Sequence, residues 1–211
     1  MTLYLRSRRV RAATAVMCVL ALGSVLLGGR FISFGPESAP VTMPYRYVLV
    51  MLSAATAVGS VASPVPGVDR SDVGPLRNAR WVHLGAVLAL VLTLSGMAEL
   101  WTASGSPVAM VRAGIVWFGT ALVSRAVAGE SLAWVLPTMS LLPILRWGSA
   151  DGGPAPWNWA AAAAWEPVAW WVAAACLSAG LTLTVMRGDA FRAGYRRGGT
   201  TSSSHRVTRA R

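Results

Sequence analysis

Six apolar runs, separated by short connections rich in arginine, leave this chain few options other than a bundle of membrane helices. The runs cover residues 12–29, 47–62, 81–101, 107–124, 131–145 and 167–186. A helix needs about 20 mostly apolar residues to cross a bilayer, or somewhat fewer when its ends are anchored at the interface. The runs use up most of the 211 residues, so no stretch remains for a separate water-soluble core. A hydrophobic fraction of 55% against 13% charged residues places the chain in the membrane class. The expected fold is all-α, a polytopic membrane helix bundle of six transmembrane helices within residues 1–186. A basic, disordered cytoplasmic tail, 187–211, is expected to follow.

Orientation comes from the arginines, which supply all nineteen basic residues of the chain. Arg6, Arg8, Arg9 and Arg11 precede the first run. Arg70, Arg77 and Arg80 lie between the second and third, Arg125 between the fourth and fifth, and seven more from Arg187 onward follow the last. The alternate connections hold only Arg30, Arg46 and Arg146, and Arg112 sits inside a run. Cationic segments resist translocation, so the arginine-rich side is cytoplasmic. Both termini are therefore expected in the cytoplasm, with the chain in the plasma membrane. The net charge of +11 then points to the anionic inner leaflet rather than to nucleic acid, at about 1 kcal/mol per residue near the surface.

The first run has a signal-peptide look but lacks a good cleavage site, and an uncleaved helix fits better. Ser63-Pro64-Val65-Pro66-Gly67 ends the second run, and Trp81 and Trp101 bracket the third at headgroup depth. Only Arg125–Glu130 joins the fourth run to the fifth, which holds Pro137 and Pro143; two crossings or a re-entrant hairpin both satisfy this pattern. Pro167 opens the sixth run in the first helical turn, where its missing N–H costs little, and Glu166 before it suits the positive helix end. Between Trp147 and Glu166, four tryptophans surround alanines 160–164. That segment reads as a short interfacial helix or as an extension of the sixth span.

No catalytic constellation stands out. There is no lysine for a phosphate-binding loop, no HExxH and no pair of aspartates within one span, so no enzyme activity, cofactor or metal is expected. Cys18 and Cys176 lie in apolar runs and read as packing residues. His83, a turn inside the third span, reads as an interfacial hydrogen-bonding residue. Glu99 and Arg112 flank the turn between the third and fourth runs, and a lone charge in hydrocarbon is expensive. An intramembrane ion pair between them is the expected solution, fixing the register of the hairpin or serving a polar ligand.

Three stretches carry a resemblance. These are Pro75-Leu76-Arg77-Asn78-Ala79-Arg80-Trp81-Val82-His83-Leu84, Leu132-Ala133-Trp134-Val135-Leu136-Pro137, and the tryptophan-rich approach to a sixth span ending in Met186-Arg187-Gly188. In layout the chain resembles small six-span integral membrane proteins of high-GC Gram-positive bacteria, the ABC-2-type permeases and ABC transporter-associated proteins. The resemblance implies an amphipathic elbow before the first span, matched in position by Leu3–Arg11. It also implies a coupling segment between spans two and three, matched by Val65–Arg80 with Asp69, Arg70, Asp72, Arg77 and Arg80. A homo- or heterodimeric exporter subunit bound to a separate ABC ATPase is the implied assembly. A non-transporting scaffold, assembly or immunity factor is the alternative.

Overall fold

A computed structural model describes residues 10–27, 29–34, 41–62, 74–102, 105–150, 153–154 and 158–199. Six α-helices dominate them: α1 (Val10–Leu26), α2 (Tyr45–Ser60), α3 (Gly74–Thr102), α4 (Pro107–Ala128), α5 (Val135–Trp147) and α6 (Pro167–Gly199). Two small antiparallel hairpins interrupt them, β1 (Phe31–Phe34) with β2 (Val41–Pro44), and β3 (Ser149–Ala150) with β4 (Gly153–Pro154). Each helix coincides with one of the six apolar runs, with altered ends. Three helical segments are long and apolar enough to cross a membrane, namely Asn78–Thr102, Pro107–Ala128 and Pro167–Arg187. The other three helices are shorter: α1 has 17 residues, α2 has 16 and α5 has 13.

Local chemistry sets the helix ends. Ser106 caps α4 by accepting from the Ala109 N–H at 3.4 Å, and Pro107 follows at the first helical position. Gly129 ends α4 at φ 114°, a conformation that side chains disfavour. Its N–H donates to the Arg125 carbonyl at 3.2 Å. Pro137 sits in the first turn of α5, where no helical partner is lost, whereas Pro143 lies inside the helix and removes one internal bond.

The helices alternate in direction. Arg46, opening α2, meets Glu99 near the end of α3. A methyl group added to Gly96 of α3 would meet Val111 of α4, and one added to Gly114 would meet Leu92, which defines an antiparallel hairpin. Arg187 of α6 donates to the Arg125 and Ala126 carbonyls at the end of α4, at 2.6 and 3.1 Å, while Gly119 of α4 meets Cys176, so α6 runs parallel to α4 and against α3. Arg80, Arg125 and Arg187 thus share one end of the bundle, and Arg30, Arg46 and Arg146 lie toward the other.

Helix α4 is the axis. Of its apolar window 61% is buried, against 33% for the α3 segment and 17% for the α6 segment, so α4 is enclosed while α3 and α6 turn most of their surface outward. Trp117 and Phe118 of α4 are fully buried among Val50, Ala54, Ala57 and Val58 of α2 and Val87 and Val91 of α3. Against α6 the contact is closer still. A Cβ on Gly119 would lie 2.5 Å from the Cys176 carbonyl carbon, and one on Gly180 would lie 2.6 Å from the Gly119 oxygen. Small residues let the two backbones touch, the way membrane helices gain packing energy when burial from water is not available.

The continuation of α6 through Gly199 corrects the expectation of disorder for 187–199, while 200–211 lie outside the described residues. The backbone of Cys176 lies at the α4–α6 contact with its side chain half-buried, and Cys18 is exposed on α1. Gly119→Ala and Gly180→Ala are each expected to lower stability by about 1–3 kcal/mol, since the helices must move apart. Gly85→Ala, with open space around it, should be neutral or raise stability by up to about 1 kcal/mol. Thermal unfolding midpoints of the detergent-solubilised protein check both.

Candidate functional site

Three buried charges, Arg46, Glu99 and Arg112, gather at the end of the bundle opposite Arg80, Arg125 and Arg187. There Arg46 Nη1 donates to Glu99 Oε1 at 2.7 Å, a short charge-assisted bond between side chains that are 11% and 3% exposed. Glu99 is therefore paired with Arg46 and not with Arg112, contrary to the expected ion pair. Register is the reason. The Gly96–Val111 and Leu92–Gly114 neighbours put Glu99 level with residue 108, about one helical turn, or roughly 6 Å, beyond Arg112. Gly105 in the α3–α4 turn lies directly over the pair; a Cβ there would collide with Glu99 Oε1.

Arg112, 1% exposed, uses its guanidinium differently. Nη1 donates to the carbonyls of Ala163 at 2.6 Å and Ala164 at 3.2 Å, and Nη2 to those of Trp159 at 3.0 Å and Ala162 at 2.8 Å. An arginine has donors and no acceptor, so a cluster of carbonyl oxygens is a natural partner. This arrangement also corrects both readings of the alanine run. Residues 159–165 form turns, neither a separate helix nor an extension of α6. Four carbonyls facing one guanidinium outweigh the helical preference of alanine.

Further bonds fix this segment as a cap on the bundle. Tyr47 Oη donates to the Ala160 carbonyl at 3.0 Å. Asn158 Nδ2 donates to the Gly148 carbonyl at 2.8 Å, and Asn158 Oδ1 accepts from the Ala161 N–H at 3.2 Å. The Trp159 ring stands edge-on to Trp117, with centroids 5.0 Å apart at 72°. Glu166 lies at the start of α6, its carbonyl accepting from the Trp170 N–H at 3.3 Å. Exposed Trp101, Trp147, Trp165 and Trp171 surround this end, as aromatic side chains do at a membrane interface.

The opposite end is more open. A cleft of about 500 Å³ lies between the last turns of α2 and the α4–α5 connection, with Glu130, Ser131 and Trp134 on its wall. Glu130 accepts from Arg125 Nη2 at 3.2 Å. Behind it, Ser124 Oγ donates to the Leu132 carbonyl at 2.5 Å and accepts from the Leu136 N–H at 3.1 Å, pinning the turn to α4. His83, on the half of α3 toward this end, is buried within the bundle. Among the described residues no three His, Cys, Asp or Glu side chains group as metal ligands.

Of the coupling residues read from the sequence, Asp69, Arg70 and Asp72 lie outside the described residues, while Arg77 and Arg80 fall within α3. The expected loop therefore ends by Gly74. The elbow Leu3–Arg11 lies outside the described residues up to position 9. Arg46 and Tyr47 were not singled out by sequence reasoning. Their position at the start of the second run, on the same side as Glu99, was the available signal. Comparison with protein-family models, with curated proteins and with solved structures found no match.

Glu99→Gln strips Arg46 of its buried counter-charge and is expected to cost about 3–5 kcal/mol, most of which a double Arg46→Met, Glu99→Leu variant should recover. Arg112→Lys keeps the charge but loses the planar fork, which should lower stability by about 1.5–3 kcal/mol and raise amide hydrogen exchange across 158–166. Exchange mass spectrometry with thermal melts reads both effects.

Proposed function

We propose that this chain is the membrane-embedded subunit, or an accessory protein, of an ABC-type exporter whose energy comes from a separate ATPase. In this reading it resides in the plasma membrane with both termini cytoplasmic. One observation supports it above the rest: the end of α2, the start of α3, the α4–α5 turn with its open cleft, and the continuation of α6 beyond Arg187 all lie toward the end that carries Arg80, Arg125 and Arg187. A cytoplasmic ATPase needs such a gathered surface to drive helices from below. Arg70 and Arg77 lie in or beside the first of these segments and are the residues assigned to contact it.

A second reading, a scaffold or assembly factor that binds other helices, draws on a different observation. Glu99 and Arg112 are both bonded to the protein's own groups, as in a purely structural network. Copurification separates the two. A tagged chain expressed with its genomic neighbours should retain an ATP-hydrolysing subunit, and Arg70→Glu with Arg77→Glu should cut that recovery at least about tenfold, since like charges replace attraction. Purification without any ATPase, together with unaltered function of the charge-reversed chain, would leave the scaffold reading.

A further inference from the structure

We propose that the cleft between α2 and the α4–α5 connection is a binding site for lipophilic organic monocations. Its apolar wall is Leu52 and Ala55 of α2 with Ala133, and its polar lip is Glu130 with the Trp134 ring. The volume of about 500 Å³ falls within the roughly 300–1,000 Å³ of small-molecule sites. The cleft is open, so an amphiphile reaches it sideways without passing through the core.

Charge selects the ligand class. The Glu130 side chain is 38% exposed, whereas Arg125, which pairs with it, is only 6% exposed; an entering molecule meets the carboxylate first. Their contact, at 3.2 Å, is long beside the 2.7 Å of Arg46 with Glu99. A carboxylate offers about four acceptor positions, so one guanidinium contact leaves capacity for a second cation. Arg187 Nη1 donates to the carbonyls that close α4 rather than to Glu130, so it does not occupy the carboxylate. The half-exposed Trp134 lines the same cleft, and an indole is the best aromatic partner for a cation that is partly shielded from water. Apolar walls, one accessible carboxylate and one indole together fit a delocalised cation carrying apolar bulk. They disfavour an anion of the same shape.

The test uses two probes of matched shape and opposite charge. Purified full-length protein in nanodiscs of zwitterionic lipid is titrated with radiolabelled tetraphenylphosphonium, with empty nanodiscs subtracted, and tetraphenylborate is offered separately. Saturable one-site binding of the cation is expected, with tetraphenylborate bound at least about tenfold more weakly. Glu130→Gln and Trp134→Ala should each weaken the cation by about tenfold. Ala55→Phe fills the cleft from the α2 side, leaves Arg125 its carboxylate, and should abolish binding. Cation binding that survives Ala55→Phe, equal or tighter binding of tetraphenylborate, or no saturable binding by the wild type each overturns the proposal. Cation binding by a chain that never recruits an ATPase would keep this site and sink the exporter reading. ATPase recruitment without cation binding would do the reverse.

Discussion

Backbone groups held away from water must find partners inside the protein, and the architecture at one end of this bundle follows from how a single guanidinium meets that demand. Arg112 binds four carbonyls of a segment that makes turns where a helix would otherwise have satisfied its own backbone. The charge is solvated by carbonyl dipoles, and the carbonyls are satisfied by the charge. Neither group is tolerable there alone. Because Tyr47, Asn158 and Trp159 all bind or belong to the same segment, the entry to α2, the end of α5 and the middle of α4 are held to one cap.

Ser124 and Arg187 repeat the solution at the other end on a smaller scale. One hydroxyl bridges the turn to α5, and one guanidinium takes the last carbonyls of α4. Between the two ends, the Gly119–Gly180 approach joins α4 and α6 by contact of backbones. The center of the bundle is held by shape, and its ends by polar groups that replace water.

Sequence reasoning recovered what depends on composition and local order. The six apolar runs became six helices, and among the described residues Arg80, Arg125 and Arg187 fall at one end with Arg30, Arg46 and Arg146 toward the other. It failed where a one-turn shift mattered. Symmetry about the α3–α4 turn suggested Glu99 with Arg112, but side-chain packing along the hairpin offsets them, and Arg46 arrives from a third helix. Such a partner, 53 positions away, leaves no trace in local periodicity. The alanine run failed for a related reason: intrinsic helical preference is a fraction of a kcal/mol per residue, less than the cost of leaving a buried guanidinium unbonded. The cleft, built from two segments far apart in the chain, had no linear signature.

The brevity of α5 has a consequence for the surrounding lipid. Thirteen residues make a helix of about 20 Å, some 10 Å short of a typical hydrocarbon core, and Pro143 weakens it further. The outward-turned segment Pro167–Arg187 of α6, with 21 residues, matches the core at about 32 Å. A bilayer around this protein therefore meets a wall of uneven height, full on one flank and low beside α5. Acyl chains there must shorten or tilt, and headgroups and water sink toward the Glu130 turn. The protein would carry its own local dent in the leaflet, and thin membranes would suit it better than thick ones.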